Sequence, residues 1–355
     1  MLHGTRILTI RGIPVHAHWS ALAIIVLVSI NIGEAAGPAL GIIAGFAFLV
    51  SVLLHELAHA LTAMRFGIET ERITLWGLGG LAAFRTEAPS ARAEGWTAAA
   101  GPIMSGLLGA VGMGGASILR VTGVHGVAVG TLFWLGLVNA ALAAFNLLPG
   151  APLDGGRIVA AWRWARHGDR YRARAEAAQA GIVIGAGVAA AGAFLAVRGI
   201  GGVMVPLTGV FIAVNAATER HASHAAARLA GLAVGDLTWF GIARADAATP
   251  VATMLWERQR LGDAGVVALN DASGNLLGVA TEERMRRVPD DRKSSTRLED
   301  VMIPIGSVAR CAPEESLVFA LSRVNPVAPV LTVWKQNRLV GVVPTEWLRQ
   351  RITRP

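Results

Sequence analysis

The 355-residue sequence holds one cysteine and one tyrosine, and only 16% of its residues are charged. The lone Cys311 excludes an intramolecular disulfide and any cysteine-based zinc cluster. Soluble domains carry about 25% charged residues, so this chain has too few to clothe a globule of its size. Lysine is almost absent, with only Lys293 and Lys335, so the net charge of +8 rests on arginine. Those arginines stand beside apolar runs, where they set topology and meet anionic headgroups. Base stacking needs aromatics among the basic residues. Around Arg157–Arg174 there are only Trp162, Trp164 and Tyr171, which suit a membrane interface equally well, so no nucleic-acid partner is expected. The start lacks an early apolar core followed by a small-residue cleavage site, so the first apolar run is expected to stay as an anchor.

What is abundant is apolar: hydrophobic residues make up 53% and mean hydropathy is +0.51. Runs near the roughly 20 residues that cross a bilayer core recur through residues 1–220. They predict six spans, at Val15–Ile32, Ala39–Phe66, Ala93–Leu119, Val124–Leu148, Ala173–Val197 and Ile200–Ala217. Loops rich and poor in arginine alternate: Arg6 and Arg11, then none, then Arg65 to Arg92, then Arg120 alone, then Arg157 to Arg174, then Arg198. That alternation fits an even number of spans in the cell membrane with both termini cytoplasmic. Gly101, Gly106, Gly109 and Gly112 in the third span predict close helix packing.

Beyond about residue 230 short strands and charged helices take over, with an internal repeat of about 64 residues. Val234-Gly235-Asp236-Leu237 aligns with Leu298-Glu299-Asp300-Val301, and Leu276–Thr281 aligns with Leu339–Thr345. Residues 236–350 resemble a tandem cystathionine-β-synthase (CBS) pair, a β-α-β-β-α module that often senses adenine nucleotides. That family commonly places an aspartate near the start of its last helix, where Arg284 and Trp347 stand here, which argues against a bound nucleotide. The expected layout is an α-helical polytopic membrane domain at 1–220, a linker at 221–235 and a cytoplasmic α/β CBS-type tandem domain at 236–350.

The chemistry lies in His55-Glu56-Leu57-Ala58-His59 of the second span. Positions i and i+4 share one helix face, so both imidazoles can address one metal ion while Glu56 reaches a water beside it. Each ionisable residue inside a membrane costs about 2.5–3.5 kcal/mol on insertion scales. Zinc would compensate, since it takes neutral imidazole nitrogens and leaves one position open for water. The alternative is a buried polar patch that only joins helices. A third ligand is expected at similar depth, and Asp154 in Asn146–Gly156 qualifies. Pro149 and Pro152 break the helix before it, and the second and fourth spans run in the same direction, so Asp154 and the histidines fall on one side. His16 and His18 beside Trp19 fit an interfacial position, and His221 and His224 a solvated stretch.

These paired motifs resemble the site-2 protease family of intramembrane zinc metalloproteases, in the branch with a C-terminal CBS-like pair. The resemblance implies one catalytic Zn2+, with His55, His59 and Asp154 as ligands and Glu56 as general base. Asn146 matches a residue that engages substrate backbone, and Gly77-Leu78-Gly79-Gly80 resembles a Gly-rich strand region that pairs with extended substrate, an exposed edge being expected near Leu75–Leu81. Ala100-Gly101-Pro102 resembles the start of the third core helix, although Ser105 stands where the family often has asparagine. The implied activity is cleavage of a membrane protein within its transmembrane segment, releasing a membrane-held regulator such as that restrained by an anti-sigma factor. The competing expectation is an ion or metal transporter with a CBS-type gate, which would spread polar groups through both leaflets.

Overall fold

The protein, described by a computed structural model over residues 4–77, 79–200, 202–262, 264–325 and 328–344, divides into two compact units, Met1–His224 and Ala225–Pro355. The first begins with a hairpin, β1 (Thr5–Ile10) and β2 (Ile13–Ala17). Its two-residue turn needs positive φ at both positions, and Arg11 (47°) and Gly12 (85°) supply it. Then come α1 (Ala21–Ala36), α2 (Pro38–Arg65), β3 (Thr70–Trp76), β4 (Gly79–Phe84), α3 (Ala91–Val121), α4 (Val127–Asn146), α5 (Asp154–His167), α6 (Arg170–Val197) and α7 (Met204–Leu229).

Among the described residues, α2, α3, α4 and α6 are long and apolar enough to cross a membrane. Their outward faces are apolar too: Ile42, Ile43, Phe46 and Val50 of α2 are all more than half exposed. A helix apolar all round belongs in a core or a bilayer, and these residues have no core to enter. The expected first span, Val15–Ile32, is corrected at its start: Val15–Ala17 lie in strand β2, and the helix of 16 residues begins only at Ala21. The last expected span, Ile200–Ala217, is corrected too: it falls in α7, which is not one of these four helices and continues through much of the expected 221–235 linker to Leu229.

The four strands pair in the order β1-β2-β3-β4, with β2 and β3 parallel because α1 and α2 connect them. Val15, Ile73 and Leu75 bury one face of this sheet against Val52 and Ala60 of α2. Of the edge expected near Leu75–Leu81, the Leu75 end is corrected, because β3 is paired on both sides; the open edge belongs to β4, Gly79–Phe84, which takes in the other end of that range. Leu78, in the expected Gly-rich segment, lies outside the described residues.

Close packing of α3 on α4 follows the small-residue rule at two of the four glycines expected to provide it. A Cβ on Gly109 would meet the Ala140 backbone at 2.9 Å, and one on Gly112 would meet Gly136 at 2.8 Å. Gly106 faces open space, and Gly101 faces side chains of α2 instead.

The basic stretch from Arg157 to Arg174 is not the lipid-facing loop the sequence suggests. It forms α5 and the first turns of α6, and three of its arginines converge on Glu94 at the start of α3. Arg170 reaches Glu94 at 3.1 Å, Arg174 at 3.1 Å and Arg157 at 3.7 Å, while Arg170 also holds Glu87 at 2.9 Å. With only 5% of its side chain exposed, Glu94 needs these partners.

The second unit consists of two interlocked halves. In the first, β6 (Ala243–Asp246), α8 (Val251–Trp256), β7 (Val266–Asn270), β8 (Leu276–Thr281) and α9 (Glu282–Arg286) follow the β-α-β-β-α order. The other begins with α10 (Leu298–Val301) and runs through β10 (Ala309–Cys311), α11 (Leu317–Ser322), β11 (Val330–Lys335) and β12 (Arg338–Pro344). The halves exchange a strand: β5 (Trp239–Phe240), from before the first half, pairs with β12, and β9 (Ile303–Pro304) pairs with β8. The repeat seen in the sequence has a local cause. Asp236 accepts a hydrogen bond from the Ala233 N–H at 2.8 Å, and Asp300 does the same with Arg297 at 2.9 Å, each turning the chain just ahead of the exchanged strand. Cys311 is buried in the second core, where burial pushes its thiol up to about 11, so it acts as an apolar filler. Trp347 lies outside the described residues, as does the end of the tandem domain expected at 350.

Replacing Glu94 with Ala strands three guanidinium groups around a buried position. A loss of about 3 kcal/mol of stability is expected, seen as a lower unfolding midpoint of the full chain in detergent; an unchanged midpoint would mean the cluster contributes nothing.

Candidate metal centre

The site starts from the helical spacing of α2. His55 and His59, four residues apart, turn their rings to the same side, and both are buried, 5% and 4% exposed. On that side the chain delivers Asp154, because Pro149 and Pro152 stop α4 from continuing and α5 starts afresh at the aspartate. His55 Nε2 lies 3.3 Å and His59 Nε2 3.2 Å from Asp154 Oδ2, and the two Nε2 atoms are 3.1 Å apart. Among the described residues these three make up the cluster able to hold a metal ion.

The opposite ring nitrogens are already engaged. His59 Nδ1 lies 2.6 Å from the Thr97 carbonyl oxygen, which can only accept, so Nδ1 carries the proton and Nε2 presents its lone pair. His55 Nδ1 sits 2.9 Å from Ser105 Oγ and, in the same tautomer, donates to it. Protonating both Nε2 atoms as well would drive two N–H groups against each other. Two imidazole lone pairs and a carboxylate oxygen thus converge as acceptors, and a cation satisfies all three at once. The spacing fits: tetrahedral zinc with bonds of about 2.0–2.1 Å separates its ligand atoms by about 3.3 Å.

Helix α3 closes this corner with a glycine. A Cβ on Gly101 would lie 2.2 Å from His59 Nε2 and 2.6 Å from His55 Nε2, so any larger residue would occupy the space where the rings meet. Glu56, one residue round α2, faces β4. A Cβ on Gly80 would strike the Glu56 side chain at 2.2 Å, so the strand passes directly over this carboxylate. Helices α2 and α4, strand β4 and the start of α5 line a cavity of about 330 Å³.

The residues assigned from the sequence to metal, base and substrate line this cavity: His55, Glu56, His59, Asp154, Asn146, Gly79 and Gly80. Asn146, in the last turn of α4, donates from Nδ2 to the Leu142 carbonyl at 3.1 Å, leaving its amide oxygen to the cavity. His16 and His18 do not line it; His18 Nδ1 pairs with Ser20 Oγ at 2.7 Å. Sequence reasoning missed three contributors. Ser105 looks like a departure from the family pattern yet orients His55; the Thr97 carbonyl has no sequence signal. Arg157 reads as one arginine in a basic run but lines the cavity one turn along α5 from Asp154.

Comparison with known proteins follows the same residues. The family model for peptidase family M50 matches residues 43–124 and 117–190, which contain His55, Glu56, His59 and Asp154. Rip3 of Mycobacterium tuberculosis, named as a zinc metalloprotease, is 35% identical over 359 residues, covering 94% of this chain and 89% of Rip3. Among solved structures, the site-2 protease from Methanocaldococcus jannaschii aligns over 61% of this chain and 95% of its own, with 27% identity and a TM-score of 0.45. The CBS domain of the bacterial CNNM/CorC family Mg2+ transporter aligns over 38% of this chain and 82% of its own, with 15% identity and a TM-score of 0.29. The chain belongs to peptidase family M50, the site-2 proteases, and is a membrane-embedded metalloprotease.

Proposed function

We propose that the protein is a zinc endopeptidase that cuts membrane proteins within or near a transmembrane segment, with His55, His59 and Asp154 holding one Zn2+ and Glu56 acting as general base. The observation that carries this reading is the convergence of three acceptor atoms, 3.1–3.3 Å apart, beside Glu56 and beneath an open strand edge. Membership of the M50 family supports zinc as the metal and counts against the transporter alternative. The single-sided placement of the polar groups does so too, since a permeation path would string them through both leaflets.

Held by His55, His59 and Asp154, a zinc ion would supply Lewis acidity toward the scissile carbonyl and the attacking water. The chain supplies the rest. A transmembrane helix shields its own peptide bonds, so a substrate must open locally before it can react. The outer edge of β4, Gly79–Phe84, offers unpaired backbone groups that can take an opened segment as an added strand. Asn146, on the opposite wall, offers an amide oxygen to a substrate N–H. Glu56, facing that strand, takes a proton from water as the carbonyl is attacked and returns it to the leaving nitrogen. Gly80 lets the strand and the carboxylate approach without collision.

The arginine-rich ends around Arg65 to Arg92 and Arg157 to Arg174 favour a cytoplasmic placement of this end of the bundle, and of both termini, in the cell membrane. The substrate class that suits the family is a membrane-held regulator, such as an anti-sigma factor, whose release carries a signal.

Glu56→Gln is expected to lower cleavage of a reconstituted transmembrane substrate by at least about 100-fold with zinc content, read by elemental mass spectrometry, unchanged. Cleavage at the wild-type rate would remove Glu56 from its role. Asp154→Ala should lower zinc content, and retention of wild-type zinc would reject Asp154 as a ligand. Gly80→Val should push the strand off Glu56 and cost roughly 100-fold in turnover with zinc retained; wild-type turnover would show that β4 does not set the position of the base.

A further inference from the structure

On the reverse face of the same two helices, α2 and α3 bound a second cavity of about 510 Å³, open to the outside of the bundle. Its lower walls are apolar, from Leu61 on α2 and Ile103 and Leu107 on α3, and its mouth carries Arg65 and Arg92 with Trp96 one turn below. Both arginines are exposed, and among the described residues neither has an ion pair or hydrogen bond. They differ in this from Arg157, Arg163, Arg170, Arg172 and Arg174, which are all engaged with Glu94 or Glu176.

Arg65 lies in the last turn of α2 and Arg92 in the first turn of α3. The two helices are antiparallel neighbours, so both charges sit at one face of the membrane. From Arg92 to Leu107 the groove follows α3 for 15 residues, about 22 Å at 1.5 Å per residue. That is the depth of a headgroup layer plus one leaflet of a core about 30 Å thick. Trp96, 54% exposed just below the arginines, marks the level of the interface.

We infer that this groove is a binding site for one anionic glycerophospholipid, with its phosphate between Arg65 and Arg92 and an acyl chain along Leu61, Ile103 and Leu107. Basic pockets between helices at a membrane face recognise charged headgroups, and the apolar trough below excludes a soluble anion as the natural occupant. The trough's walls, Ala58 and Ala100, are immediate neighbours in sequence of His59-side and Gly101-side contacts in the metal centre, so its occupant braces the helix pair from behind.

The test uses the full chain in micelles equilibrated with equal phosphatidylglycerol and phosphatidylcholine, with retained lipid counted by native mass spectrometry. Each arginine near a headgroup contributes roughly a fivefold preference, so the wild type should retain phosphatidylglycerol over phosphatidylcholine by more than tenfold. Arg65→Gln with Arg92→Gln should erase that preference, while Arg166→Gln, a control that removes an equally exposed charge elsewhere, should not. Leu107→Trp, which fills the trough and keeps both arginines, should also reduce retention. All four positions are at the surface, and an unchanged unfolding midpoint checks the fold. Equal loss in the Arg166→Gln control would reduce the effect to general surface charge and overturn the site. Full retention by Leu107→Trp would overturn the acyl-chain trough, and displacement by millimolar inorganic phosphate would identify a bare anion site instead of a lipid site.

Discussion

Three acceptor atoms held within 3.3 Å of one another inside an apolar bundle are the constraint around which the first unit is built. Left alone they repel, and water cannot relieve them at that depth without a path. The surrounding residues enforce the arrangement: the Thr97 carbonyl and Ser105 fix the two rings, Gly101 leaves the room they need, and α5 is held so that Asp154 stays opposite. Holding α5 is the work of Glu94, whose carboxylate collects arginines from α5 and α6 at the head of α3. In a bilayer no hydrophobic drive presses helices together, so a shared buried charge and close glycine contacts take over that task.

A strand beside a membrane-embedded site needs a physical reason, since an open edge in lipid leaves backbone groups unsatisfied. It is tolerated where irregular backbone lines a cavity, and β4 does line one. The sheet that carries it is anchored on α2 by Val15, Ile73 and Leu75, so the edge is presented by a rigid support with no strand beyond it. Gly79 and Gly80 keep that edge thin, which brings main chain, and not side chain, over Glu56.

The long helices and the cluster of His55, His59 and Asp154 are legible in the sequence because their signals are local or chemical. Long apolar runs mark α2, α3, α4 and α6, a four-residue histidine spacing marks one helix face, and a Pro/Gly break announces Asp154. The hairpin β1–β2 was hidden because Val15–Ala17 merges with the apolar run of α1, and periodicity alone does not divide strand from helix there. Helix α5 looks like a loop in the sequence because its arginines fit topology and headgroup contact; the partner of Arg157, Glu94, lies more than 60 residues earlier. Ser105 was discounted for the same reason: its value depends on which ring it touches, which no spacing reveals. The tail repeat was visible as matched Asp236 and Asp300, but the exchange of β5 and β9 between halves concerns pairing over long separations and leaves no local pattern.

The two histidines and Glu56 come from one helical turn, but Asp154 is almost a hundred residues away. The distance has a consequence. A helix that carries only His55, Glu56 and His59 has two imidazoles on one face and nothing opposite, so neither α2 nor α5 alone presents the full donor set. The donor set exists only when α5 is docked, and α5 reaches Glu94 through Arg157, beside Arg170 and Arg174 of α6. Arg157 therefore serves both sides of the arrangement, reaching the buried ion cluster at 3.7 Å while lining the cavity beside Asp154. Packing of the bundle and convergence of the three acceptor atoms therefore depend on the same helix contacts.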